Sequence, residues 1–165
     1  MTFKKGFITF LIISIIGTLG HFLYEWTGES FIIGLFFPVN ESTWEHLKLL
    51  FFPTLVYSAI ELIKCDKKPN LIVATTRAIL LGMLMIVALF YTYSGVLGYR
   101  IDLLNILIFY IAVAITVFRR CRIYNKQKVV SKNSVLFSII TLAVFTLLFF
   151  IWSYIPPNID LFISP

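Results

Sequence analysis

Apolar residues along this chain gather into five long runs separated by short polar breaks, at about 6–26, 43–64, 71–93, 101–118 and 135–154. Each run is near the roughly 20 residues that a helix needs to cross a hydrocarbon core of about 30 Å. The runs are continuously apolar, whereas the strands of a membrane barrel alternate. The pattern predicts an all-α integral membrane helical bundle, with five transmembrane helices in a single domain over residues 1–165. A shorter apolar stretch within 28–40 holds Phe31, Ile32, Ile33, Leu35, Phe36 and Phe37. It is too apolar for a free loop and too short to span, so an interfacial or re-entrant segment between the first two helices is expected.

Composition strengthens this picture. The chain is 59% hydrophobic and 13% charged, with a mean hydropathy of +0.93, whereas soluble domains carry about 25% charged residues. A chain this short has too much exterior to bury so much apolar surface on itself, so lipid must cover the excess. Lys4 and Lys5 precede the first run as they would in a signal peptide. That run is long and no A-x-A-like site follows it, so it is expected to stay as a span.

The formal charge of +6 suggests nucleic acid until its distribution is seen. Lys4, Lys5, Lys64, Lys67, Lys68, Arg119, Arg120, Arg122, Lys126, Lys128 and Lys132 fall on one side of a five-span bundle, with Arg77 close by. Only Lys48 and Arg100 fall on the other. Enrichment of Lys and Arg on the cytoplasmic side places the N-terminus in the cytoplasm and the C-terminus outside, and it excludes a nucleic-acid partner. Glu25, Glu29, Glu41, Glu45, Asp102 and Asp160 then lie outside, and Trp26, Trp44 and Trp152 read as an aromatic belt at the outer interface. Cys65 and Cys121 lie on the reducing side and are spaced neither as a metal pair nor as a redox motif.

Candidate chemistry concentrates at the outer end. Both histidines and four of the eight acidic residues lie between His21 and His46. His21 and Glu25 share a helix face at i, i+4, as do Ser42 and His46 on the next helix. Gly17 and Gly20 leave room for a second helix to approach. Ionisable groups just below a membrane interface are costly to place there and mark functional sites by default. His21, Glu25 and His46 are the candidate metal ligands, and Glu45 and His46 the candidate acid–base pair. Asn40, Glu41, Ser42, Trp44 and Lys48 are the supporting or binding residues. This donor set suits a transition metal such as zinc, iron or manganese. The same groups suit acid–base work on a membrane lipid or, less well, a bis-histidine haem.

Structural readings compete for the same residues. Ser42 and Glu45 have the spacing of a capping box, and Glu45 and Lys48 that of an i, i+3 ion pair. Pro53 should kink the second span by removing a hydrogen bond to Leu49. Glu61 and Arg77 lie at similar inner depths and are expected to pair, while Asp102 and Asn105 cap the fourth span or join the outer site. Pro156 and Pro157 end the last span, leaving an apolar tail over 159–165 that is expected on the outer surface. No Gly-rich phosphate loop, H-E-x-x-H element or nucleophile elbow occurs.

Two stretches, His21-Phe22-Leu23-Tyr24-Glu25-Trp26 and Asn40-Glu41-Ser42-Thr43-Trp44-Glu45-His46-Leu47-Lys48, carry H-F-x-Y-E-W and N-E-S-x-W-E-H-L-K elements. In these, and in the tail Pro156-Pro157-Asn158-Ile159-Asp160-Leu161-Phe162, the chain resembles a family of small bacterial multi-pass membrane proteins of unknown function, with Asp160 replacing a proline of the family tail. The resemblance implies a bacterial cytoplasmic membrane and suggests that His21, Glu25, Asn40, Glu41, Trp44, Glu45 and His46 act as a unit. Size, span count and tryptophan content are also similar to those of five-span tetrapyrrole- and sterol-binding proteins. The leading expectation is an outer-leaflet His/Glu site acting on or binding a lipid-like ligand. The alternative is a structural subunit of a membrane complex, bound to a partner or to a second copy of itself. A small transporter fits less well, because the inner halves of the spans offer only Glu61 and Arg77 as a polar path.

Overall fold

The computed structural model describes residues 2–126 and 130–164; Lys128, one of the basic residues counted above, and Pro165 lie outside the described residues. Among the described residues the chain forms six α-helices: α1 (Phe3–Trp26), α2 (Phe31–Phe36), α3 (Thr43–Ile63), α4 (Lys68–Leu97), α5 (Asp102–Lys126) and α6 (Lys132–Trp152). A single 3-10 turn, Asp160–Phe162, follows. All but α2 are long and apolar enough to cross a membrane. The fourth and fifth elements outrun their apolar stretches. Pro69 is accommodated in the first turn of α4, and Gly98, at φ 74°, stops it in the left-handed conformation that glycine adopts without strain. Gly28 and Glu29, at φ 66° and 60°, turn the chain sharply after α1.

The five long helices run alternately up and down. Helix α1 packs on α3 and α5, and α4 packs on α3, α5 and α6. Large apolar side chains such as Ile15, Phe118, Phe137, Ile140 and Leu147 are exposed on the exterior, the surface of helices apolar enough to cross a membrane.

Two close approaches set the helix spacing. Pro53, inside α3, has no N–H to offer the Leu49 carbonyl one turn earlier. That carbonyl lies against Gly17 of α1, where a Cβ would stand 2.8 Å from it. Gly82 of α4 meets the Thr116 hydroxyl of α5 with equally little space. Gly20 admits the Phe37 ring, which closes over α1 from the end of α2.

Charges inside the bundle are matched at both ends. At the end where α3 meets α4, Glu61 binds Lys5 Nζ of α1 at 2.9 Å and the Arg120 guanidinium of α5. Arg120, fully buried, also donates from Nε to Thr75 Oγ1 at 3.0 Å. The expected Glu61–Arg77 pair does not form. Two residues along a helix are about 200° apart, so when Thr75 faces Arg120, Arg77 turns outward and is exposed.

At the opposite end Lys48, with 0% exposure, saturates its ammonium group. It donates to the Gly34 carbonyl (2.7 Å), the Phe37 carbonyl (3.3 Å) and Glu45 Oε2 (2.7 Å). Glu45 accepts in addition from the Val39 N–H at 2.9 Å and, on Oε1, from Ser153 Oγ at 2.8 Å. The 28–40 segment is thereby a strap containing α2, pinned to α3 and packed on α6 and α1. Trp44 is buried beneath the tail, against Phe149, Trp152 and Phe162. This corrects one expectation: Trp44 is core rather than belt. The tail is largely exposed at this end, with Phe162 buried against Trp44 and Trp152.

Lys48→Met should leave the Glu45 carboxylate buried without its cation and cost about 3–5 kcal/mol. Thermal unfolding in detergent checks this, and adding Glu45→Gln should recover much of the loss. Gly17→Leu should force α1 off α3 and cost at least the ~1–3 kcal/mol of an overpacked core, lowering the unfolding temperature without loss of helix content by circular dichroism.

Candidate metal centre

The site forms where α1 ends, α3 begins and the strap returns between them. Ser42 caps α3, accepting the Glu45 N–H on Oγ at 3.4 Å. Only half of the expected capping box is present. The Ser42 N–H goes to Asn40 Oδ1 at 2.9 Å, which leaves Glu45 for Lys48. The Asn40 contact shapes the turn that presents Glu41 just ahead of the helix.

One turn into α3, His46 Nδ1 lies 2.8 Å from the Ser42 carbonyl. A carbonyl only accepts, so Nδ1 carries the proton and a neutral ring exposes its lone pair on Nε2. That Nε2 lies 3.2 Å from His21 Nε2 on α1. The Glu41 carboxylate completes a triangle, with Oε2 3.5 Å from His21 Nε2 and 3.4 Å from His46 Nε2. Hydrogen bonding from the His46 ring, which requires that ring to be protonated on Nε2 as well, holds the Glu41 carboxyl below its usual pKa, aided by the charge of both protonated rings and opposed by partial burial. The close approach of α1 and α3 at Gly17, four residues before His21, is what lets the two rings meet.

His21, Glu41 and His46 are three donor groups that could hold one metal ion. A tetrahedral ion with ligands at about 2.0–2.1 Å needs donor–donor edges of about 3.3–3.4 Å. The three observed edges match that requirement within 0.2 Å. The backbone carbonyl on His46 Nδ1 is the outer-shell partner that metal-bound histidines usually have.

Other expected site residues lie elsewhere. Glu25, one turn beyond His21, is exposed and stands outside the triangle, whose third corner is Glu41. Glu45 is 1% exposed and both its oxygens are bonded, leaving neither for a ligand. Lys48 and Trp44 support the strap and the tail rather than touching the triangle.

Beside the triangle opens a cavity of about 280 Å³ between α3, α4 and α5. Glu41 and His46 line it from around the start of α3, and Arg100, Asp102 and Asn105 from around the start of α5. The floor is apolar, with Leu49, Ile86, Ile108 and Phe109. Asp102 and Asn105 therefore border the site as well as starting a helix. Arg100 and Thr43 are cavity residues that sequence reasoning misses, and the only signal for Arg100 is its exception to the charge bias.

No curated protein matches the chain, and no solved structure does. The family of unknown function DUF6512 matches residues 2–164, nearly its whole length, and the chain belongs to that family.

Proposed function

We propose that this protein is a membrane-embedded metal-binding protein in which His21, His46 and Glu41 hold one divalent transition ion, with zinc the best fit. The carrying observation is the triangle of edges 3.2, 3.4 and 3.5 Å, the size that a tetrahedral ion requires. Two histidines and a carboxylate with the fourth position open are the ligand pattern of catalytic rather than structural zinc. A bound ion there would lower the pKa of a coordinated water to about 7 and polarise an ester or amide oxygen. The adjoining cavity gives such a ligand a place to sit. On this reading the bundle spans the membrane with its N-terminus in the cytoplasm. The basic residues at the opposite end support that orientation, and the metal centre then opens at the outer leaflet to a lipid-like substrate.

Protein purified in detergent and dialysed against zinc should carry close to one equivalent by elemental analysis. His21→Ala/His46→Ala should abolish that content, and Glu41→Gln should weaken affinity by at least about tenfold. Wild-type protein that holds no zinc, cobalt or manganese overturns the reading and leaves the three groups as a hydrogen-bonded cluster. The orientation is tested separately, in a chain whose Cys65 and Cys121 are replaced by serine. Lys67→Cys should react with a membrane-impermeant maleimide only after the membrane is opened, and Tyr99→Cys should react in intact cells. The reverse pattern would invert the topology.

A further inference from the structure

The cavity lining around the start of α5 combines two donors, Arg100 and Asn105, with the Asp102 carboxylate. Arg100 stands at its mouth, exposed, with its guanidinium over the Phe90 ring at 5.3 Å from the centroid. It makes no salt bridge among the described residues, although Asp102 borders the same cavity. Of the two basic side chains at this end of the bundle, Lys48 is wholly committed to Glu45 and the strap. Arg100 is therefore the cation available to a ligand. Asn105 accepts the Tyr93 hydroxyl on Oδ1, which orients the side-chain amide and leaves its NH₂ as the donor side. Tyr93 also holds the entry to α5, accepting the Ile101 N–H at 3.3 Å. Thr43 adds a hydroxyl beside His46. The first turn of α5 contributes the positive end of a helix dipole at the same wall.

We propose that the cavity seats the phosphate group of an amphipathic ligand between the metal triangle and Arg100, so that the substrate class is a phospholipid or another phosphorylated lipid. Guanidinium groups bind phosphate oxygens through a planar fork, and Asn105 and Thr43 add neutral donors. A volume of about 280 Å³ holds a headgroup rather than a whole lipid. The apolar floor of Leu49, Ile86, Ile108 and Phe109 accounts for the first carbons beyond the phosphate. Asp102, exposed at the mouth, disfavours a multiply charged anion buried beside it, which fits a phosphodiester better than a bare phosphate. The inference deepens the metal reading by naming what stands at the open coordination position.

The test uses the full chain in detergent, zinc-loaded and, in parallel, chelator-treated. The probes are dihexanoyl phosphatidylglycerol, uncharged dihexanoylglycerol and inorganic phosphate. Thermal unfolding should show saturable stabilisation by the phospholipid and none by the uncharged glyceride. Arg100→Gln should weaken the apparent affinity for the phospholipid about tenfold, the loss of one charge-assisted contact. Arg100→Lys should recover part of it, and zinc content should stay at the wild-type level in both. Equal stabilisation by the uncharged glyceride, or an unchanged affinity in Arg100→Gln, overturns the proposal while leaving the metal reading intact. Inorganic phosphate acting as strongly as the phospholipid overturns the lipid assignment and gives the site to a soluble phosphate. Failure of the metal reading shows separately, as absent zinc in the wild type, and the Arg100-dependent affinity is still read in the chelated sample.

Discussion

A lysine ammonium removed from water must find every partner inside the protein, and Lys48 does so with two strap carbonyls and one carboxylate. Nothing else at this end of the bundle is as constrained. The two carbonyls, from Gly34 and Phe37, fix the strap. The carboxylate, from Glu45, draws in the Val39 N–H and the Ser153 hydroxyl, and so ties α3 to the segment after α6. Breaking one bond of this set leaves a charge in a low-dielectric surrounding, which costs far more than the bond itself contributes. The strap is therefore held in one position, and Glu41, five residues beyond the end of α2, is delivered to the histidines with it.

The opposite end repeats the logic with different side chains. Glu61 gathers Lys5 and Arg120, and through them joins α1, α3 and α5. Between these two polar plugs the bundle is largely apolar. Its hydroxyls bond back to their own helix, as Thr76 does to the Ile72 carbonyl, or across helices, as Thr18 does to Tyr110 at 2.9 Å. Others, such as Ser14, Thr54 and Thr116, are buried without a hydrogen-bond partner among the described residues. Close helix contacts at Gly17 and Gly82 lie in that middle zone, where small residues let helix backbones approach. The His21–Glu41–His46 triangle is thus carried by two helices whose spacing is set by a missing Cβ and a missing backbone N–H, and by a loop set by a buried ion pair.

Glu25 and Glu41 show the limit of helical periodicity. Glu25 has the better pattern, one turn from His21 on the same face, yet it faces out beyond the end of the packed region. Glu41 has no periodic relation to either histidine. Its position depends on the turn at Asn40 and Ser42, and on where the pinned strap returns the chain. Trp44 carries a similar lesson: the helix end it occupies is typical of an interfacial tryptophan, but the tail folds over it and makes it core.

From the sequence alone, the five apolar helices, their order, the separation of charge between the two ends and the concentration of histidine and carboxylate at one of them were all readable. These follow from local hydropathy and charge, which act residue by residue and need no knowledge of neighbours. The i, i+3 spacing of Glu45 and Lys48 also announced the ion pair that forms, whereas tertiary structure alone decided that Glu41 rather than Glu25 stands with His21 and His46, and that Arg120 rather than Arg77 meets Glu61. It also decided that Arg100 lines the same cavity as Glu41 and His46. Each of these turns on which face of a helix meets which neighbour and on the path of a connecting segment. Both are set by packing between residues far apart in the chain, where one residue of phase, about 100° on a helix, separates a ligand from a bystander.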